Sequence, residues 1–269
     1  MIDIALLTIP KLEVLNPLIG PAALKAMVEK EGFKAVCLDY NLQMWLDTKE
    51  YNIEHAWVDN DSTFTTKSEF INFYKVYLED ILDEYIEELN KLKPSYVGIT
   101  LLSHWQHHMC DKFIEKINEK CNTRIVLGGP GIGPAYSKNK LEKGSIYAYI
   151  DGEGEYALLE LLKGNSLYPG INGKPPKQIE DLNDLPFPDY SDFDLNKYPK
   201  RTSVSILCSR GWIKSCRFCS ERLMYKEFRL YPVKSVLAQI EYHLERGVLQ
   251  FVFHDSLING DLKYLNELC

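Results

Sequence analysis

Nothing in this 269-residue sequence approaches the roughly 20 consecutive apolar residues that span a bilayer. Its opening, MIDIALLTIPKLEV, lacks the basic n-region and small-residue cleavage site of a secretory signal. There is no surplus of basic residues either: a net charge of −7 argues against a nucleic-acid partner held by a basic surface. The seven cysteines are odd in number and form no disulfide framework. Cys37, Cys110 and Cys121 stand singly in apolar or helical surroundings and are expected to be small buried or half-buried thiols, and Cys269 is terminal. These absences point to a cytoplasmic protein with no membrane and no nucleic acid among its partners. What is present, 45% hydrophobic and 26% charged residues, is the composition of a folded, soluble chain.

Apolar runs that end in polar or glycine residues recur at 2–9, 34–41, 95–102, 123–129 and 146–152, and read as strands buried on both faces. Helical patterns lie between them, at 20–31, 104–120, 134–143 and 155–163. Strand and helix in alternation predict a parallel α/β sheet, flavodoxin-like and doubly wound, over residues 1–163. An insertion at about 42–93 interrupts the alternation. There Phe70, Phe73, Tyr77, Ile81, Tyr85 and Leu89 form a helical stripe expected to pack on the sheet domain. Residues 164–201 hold six of the thirteen prolines and few glycine or serine runs, which predicts an ordered linker. From 202 the βα order resumes: TSVSILC, a cysteine loop, a helix from PVKSVLAQ, the strand VLQFVFHD and a second helix. A closed eight-unit barrel needs about 250 residues, so 202–269 holds about two of its units. The expectation is a fragment of a longer protein, or a short second domain that leans on the first.

The chemistry concentrates in CSRGWIKSCRFC, residues 208–219. Three thiolates at the C-terminal mouth of parallel strands, Cys208, Cys216 and Cys219, can hold a four-iron cluster with one iron open to a small molecule. They can also hold zinc with a histidine such as His254, or remain unligated. Other stretches carry two readings each. LGGPGIG is a tight turn or a phosphate loop. His104 and His108, a helical turn apart, are a metal pair or an exposed helix start. Asp151, Glu153 and Glu155 of DGEGE are acid–base groups or carboxylates that stabilise a helix N-terminus. Asp255 at a strand end is a ligand contact or a cap for the helix from 261.

SRGWIKSCRFC resembles the radical S-adenosylmethionine signature of enzymes with an N-terminal cobalamin-binding domain, Ser-Arg-Gly-Cys-x-x-x-Cys-x-Phe-Cys. Ser209, Arg210, Gly211, Cys216, Phe218 and Cys219 match. The family's first cysteine falls on Trp212, which cannot ligate iron, and Cys208 is taken to stand in for it. NPLIGPAALKAMVEKEGFKAVCLDYN, PSYVGITLLSHW, RIVLGGPGIGP, YIDGEGEYALLELLKG, INGKPPKQIEDLNDLPFPDY and FVFHDSLINGDLKYLNELC resemble successive segments of the same family, in its order.

The resemblance implies three cofactors: cobalamin, S-adenosylmethionine and a 4Fe-4S cluster. Cobalamin would lie across the C-terminal edge of the first sheet, near Thr8, Leu18 and Gly20, near Ser103, His104 and Trp105, and near Gly128, Gly129, Pro130, Gly152 and Glu153. Its nucleotide tail would pass Gly128 and Gly129. The Asp-x-His-x-x-Gly motif that supplies a histidine to cobalt elsewhere is absent, so no protein histidine ligand is expected. Arg210, Phe218 and Asp255 would face S-adenosylmethionine, in the first part of a partial (β/α) barrel of radical S-adenosylmethionine type. The implied reaction splits S-adenosylmethionine to a 5′-deoxyadenosyl radical and methylates an unactivated carbon from methylcobalamin, or rearranges or cyclises it. A small-molecule or peptide substrate and an electron donor are the implied partners. A corrinoid-binding module without catalysis and a zinc-stapled α/β binding protein are the competing expectations, because the barrel is incomplete and Trp212 displaces a ligand.

Overall fold

Ile4–Thr8 (β1) is buried at all five positions, as a strand covered on both faces must be. It is an inner strand of a five-stranded sheet with Ala35–Asp39 (β2), Tyr96–Thr100 (β3), Arg124–Gly128 (β4) and Ala148–Ile150 (β5). The order is β2-β1-β3-β4-β5, and every pairing is parallel. This is the flavodoxin-like order expected from the sequence, and it puts a topological switch point between β1 and β3. The computed structural model describes residues 2–57, 62–214, 225 and 227–269.

The helices Ile19–Lys30 (α1), Tyr40–Asp47 (α2), Lys67–Phe73 (α3), Glu79–Leu92 (α4), His107–Lys120 (α5), Pro134–Glu142 (α6) and Gly154–Leu162 (α7) connect and cover these strands. Gly32, at φ +87°, ends α1 in a left-handed turn that glycine adopts without penalty. In the insertion, a π-helical turn at Tyr74–Leu78 separates α3 from α4. It shifts the buried stripe to Phe70, Tyr74, Leu78, Leu82 and Ile86, while Phe73, Tyr77 and Ile81 are only partly buried. The stripe packs into the main core as expected, on a register that one wide turn has moved.

Residues 164–201 are pinned to this first unit by charge. The ammonium of Lys25 on α1 reaches Asp192 at 2.8 Å, Asp189 at 3.2 Å and the Ser191 hydroxyl at 2.8 Å. Asp192 also accepts from the Cys37 N–H, and Tyr198 donates to Asp39 at 2.6 Å. The second unit pairs Ser203–Ile206 (β6) in parallel with Gln250–Phe253 (β9). Ser209–Arg210 (β7) and Arg229–Leu230 (β8) form a short antiparallel ribbon. Val233–Leu244 (α8) and Leu262–Leu268 (α9) complete it. No closed barrel forms among the described residues. The unit leans on the first: Asn16 donates to Ser205 Oγ at 2.6 Å, and Val204 and Val248 join the main core. No described helix is long and apolar enough to cross a membrane.

Candidate functional site

The C-terminal ends of β1, β3 and β4 open into a cavity of about 240 Å³. Leu6, Gly98, Thr100 and Gly128 line its sheet side, and Gly20 and Leu24 of α1 line one wall. The linker covers it with residues 182–188, and α8 closes it with Ser235 and Gln239. Strand connections diverge at this switch point, and the divergence leaves the crevice. The glycines divide the labour. A side chain at Gly20 or Gly128 would meet nothing within 4 Å, so their absence opens the cavity. Gly129, at φ +96°, would place a Cβ 2.4 Å from the Leu101 carbonyl oxygen, and Gly131 would place one 2.3 Å from Ser103 N. LGGPGIG is therefore a tight turn where it abuts the loop after β3, and an open wall at Gly128.

Of the residues expected at this edge, Gly20, Gly128, Gly129, Pro130, Gly152 and Glu153 line the cavity, and so does Arg210, which was expected to face S-adenosylmethionine. Thr8 is buried at the end of β1, Leu18 precedes α1, and Ser103 caps the turn His104–Gln106; none of the three lines it. His104 is exposed and Trp105 half-buried beside the Lys11 ammonium, at 5.4 Å from its ring. His108 stacks on Phe70, so the His104–His108 metal pair does not form. Gln106 escaped the sequence reading. Fully buried, it accepts from Leu102 N–H at 2.7 Å and donates to Ile9 O at 2.8 Å, tying the loops after β1 and β3 together.

At one end of the cavity the two units meet through buried charge. The β7–β8 register sets Arg210 opposite Arg229, and both reach the start of α7. Arg210 binds Glu153 at 2.9 Å and Glu155 at 2.5 Å, while Arg229 binds Glu153 at 3.0 and 3.1 Å. Side-chain exposure is 2% for Glu153, 8% for Glu155 and 9% for Arg210. Burial alone would raise the Glu155 carboxyl, but the Arg210 charge and hydrogen bond outweigh it and hold it below its ordinary value. The DGEGE carboxylates are thus partners of arginine at a helix N-terminus. Gly152, at φ +79°, is where Pro176 approaches, 2.7 Å from a would-be Cβ.

Cys216, Phe218 and Cys219 lie outside the described residues. Cys208 packs with Val233, Val236 and Tyr264 in a small apolar cluster on the α8–α9 side. Burial, then the Asp255 charge, pushes its thiol up to about 12. Asp255 accepts from Cys208 N–H at 2.9 Å and from Ser209 Oγ at 2.5 Å, which holds the start of the motif. The cap of α9 is Asp261. Gly211, at φ +93°, would put a Cβ 2.4 Å from Glu227 O, and the buried Trp212 indole N–H has no partner among the described residues.

No protein-family model matches the chain. It is similar to an uncharacterized methyltransferase of Pyrococcus horikoshii, PH0819, at 31% identity over 191 residues, 62% of this chain and 41% of that protein. It is also similar to the anaerobic magnesium-protoporphyrin IX monomethyl ester cyclase of Rubrivivax gelatinosus, at 27% over 215 residues, 70% of this chain and 38% of the cyclase. Among solved structures, the radical S-adenosylmethionine methyltransferase TsrM from Kitasatospora setae superposes with a TM-score of 0.64 at 20% identity, over 99% of this chain and 50% of TsrM. TsrM with cobalamin and a [4Fe-4S] cluster bound superposes at 0.61. The chain has the fold of the cobalamin-dependent radical S-adenosylmethionine enzymes. It spans about two fifths of the length of the curated relatives it matches.

The two halves of that fold differ in how their residues suit a cofactor here. The cavity suits part of a corrinoid: it is mostly apolar, with buried charge at one end, it lies at the switch point, and Gly20 and Gly128 leave room that any side chain would fill. Of the three expected cluster thiols, Cys208 packs with Val233, Val236 and Tyr264, and Cys216 and Cys219 lie outside the described residues.

Proposed function

We propose that this chain forms the corrinoid-binding part, and the opening of the S-adenosylmethionine-binding part, of a methyltransferase acting on an unactivated carbon of a small molecule or peptide. The cavity at the β1–β3 switch point, closed by the linker and α8, carries the reading. Cobalamin supplies, when bound, a cobalt that accepts and hands on a methyl group. The protein's own part is to bind and to exclude water. Gly20 and Gly128 admit the ligand, the apolar linker segment 185–188 covers it, and Gln106 keeps the loops after β1 and β3 in one arrangement. The Arg210–Glu153–Glu155 contacts hold the second unit against the first, which fixes β7, the start of the signature, beside the cavity. Similarity to the cyclase favours rearrangement or ring closure as the variant chemistry. An electron donor would be a separate partner, in the cytoplasm.

A second reading has its own observation. Trp212 at the first ligand position and the buried Cys208 thiol favour a corrinoid-binding module without radical chemistry. Two measurements decide. Titration with hydroxocobalamin should change its visible spectrum at stoichiometric protein, and no change removes the corrinoid reading. Anaerobic iron–sulfur reconstitution should load iron on a catalytic chain, and an iron-free product with intact cobalamin binding leaves the module.

A further inference from the structure

His107 opens α5 behind the turn that carries Gly128, Gly129 and Pro130, and it is not itself on the cavity wall. Its Nε2 stands 2.7 Å from the Gly131 carbonyl oxygen. A carbonyl only accepts, so Nε2 carries the proton and donates. The ring is oriented in its turn. Tyr136 of α6 lies flat on it, with ring centroids 3.8 Å apart and planes 7° from parallel. The Tyr136 hydroxyl donates to Asp111 at 2.6 Å, and Lys140, one helical turn further on, pairs with the same carboxylate at 2.7 Å. Burial outweighs the other influences on His107 and keeps it below its ordinary 6.5, so the ring is neutral at pH 7.5.

Gly131 is where the turn meets both of its neighbours. Its N–H donates to Leu101 O at 2.8 Å on the loop after β3, and its carbonyl faces α5. Leu101 N–H donates in turn to Gly128 O at 2.8 Å. The strand-end loop thus grips the turn from one side and His107 from the other. Gly128, Gly129, Pro130 and Leu102, all joined to this grip, are cavity wall.

We propose that His107 is a positioning residue of the cavity: by holding the Gly131 carbonyl it sets where the Gly128–Pro130 wall stands, and with it the fit of a bound corrinoid. The proposal rests on the corrinoid reading. His107 touches no ligand and acts through the turn.

The test compares the 269-residue chain as wild type, His107→Phe and His107→Gln. Phenylalanine keeps a flat ring against Tyr136 and removes the donor, and glutamine carries an amide N–H to about the reach of Nε2. Each is titrated with hydroxocobalamin by visible absorption at pH 7.5, at a temperature where circular dichroism shows it folded. His107→Phe should bind about fivefold more weakly, as for one lost hydrogen bond, and His107→Gln should return to within about twofold of the wild type. In the ligand-free chains, the Gly131 and Leu101 amides should exchange hydrogen faster in His107→Phe, by a larger factor than the amides of β1. Equal affinity of wild type and His107→Phe overturns the proposal. An equal loss in His107→Gln does so too, since the effect then belongs to the ring and not to the donor, as does exchange that speeds uniformly along the chain. If the wild type leaves the cobalamin spectrum unchanged, the corrinoid reading falls instead, and the exchange comparison still tests the hold on the turn.

Discussion

Arg210→Met isolates the buried charge contact between the two units. The substitution keeps an unbranched apolar stem and removes the guanidinium from Glu153, at 2.9 Å, and Glu155, at 2.5 Å. Glu153 keeps Arg229 and the Ile179 N–H, so the loss falls on Glu155. Breaking one side of a buried pair costs about 3–5 kcal/mol, and with Arg229 still near, about 3 kcal/mol is expected at pH 7.5. The pH dependence carries the sign. In the wild type the Glu155 carboxyl is held below its ordinary 4.5, so its stabilising contribution is present above that pH and lost below it. In the variant, burial acts unopposed by Arg210 and raises the carboxyl above 4.5. The native state then takes up a proton as pH falls from 8 towards 5, and the variant recovers relative to the wild type. Urea unfolding followed by circular dichroism at pH 8, 7, 6 and 5.5 reads the difference directly. Adding Glu155→Gln to Arg210→Met should return part of the loss at pH 8 and flatten the pH dependence. A cost below about 1 kcal/mol at pH 7.5, or a gap that stays constant down to pH 5.5, refutes the reasoning.

Gly128→Val should leave ligand-free stability nearly unchanged, since nothing lies within 4 Å, and weaken cobalamin binding about tenfold or more by overfilling the cavity. Gly129→Ala should instead cost about 1–3 kcal/mol of stability, because φ is +96° and the Leu101 carbonyl is 2.4 Å from the new carbon. Equal stability of the two variants would contradict the division between them. His243 is held near 4 by burial and then by Arg246, with Asp189 opposing, against 6.5 in the unfolded chain. Its contribution is therefore full above pH 6.5 and shrinks as pH falls towards 4, by up to about 3 kcal/mol at ~1.4 kcal/mol per unit. His243→Phe should be less pH-sensitive than the wild type over that window, and parallel melting curves between pH 7 and 4.5 would rule out a buried neutral imidazole. Cys208→Ala should not change iron per chain after anaerobic reconstitution, because the thiol packs on α8 and α9; a drop in iron would make Cys208 a ligand after all.

The sheet was legible because its signal is local. Five apolar runs separated by helical periods leave one economical arrangement, and Gly98, in the middle of YVGIT, already marks a strand whose neighbour comes close: a Cβ there would meet Leu6 at 2.9 Å. The insertion was legible as a helix but not in its register, since no residue pattern announces the π turn at Tyr74–Leu78 that moves Tyr74 and Leu78 inward. At the site, the near wall was readable from glycines and the far wall was not. Gln239 and Ser235 look like ordinary polar positions on an amphipathic helix, and only the docking of α8 over the first sheet turns them into cavity wall.

The same limit explains Arg210. In the signature it reads as a neighbour of S-adenosylmethionine, and DGEGE reads as a helix start; neither string contains the other. Arg229, 19 positions beyond Arg210 and outside any motif, becomes its neighbour only through the antiparallel β7–β8 pairing. Two arginines brought side by side repel unless carboxylates compensate them, and Glu153 and Glu155 stand where both can be reached. An arrangement so costly to leave half-formed acts as a docking test between the units: β7, which opens the signature, is held in place only when the sheet edge that bounds the cavity is in place too. The cavity and the β7–β8 ribbon are therefore expected to loosen together in Arg210→Met, with cobalamin affinity falling although Arg210 is one residue among many on the wall. An unchanged cobalamin affinity in that variant would separate the clamp from the site.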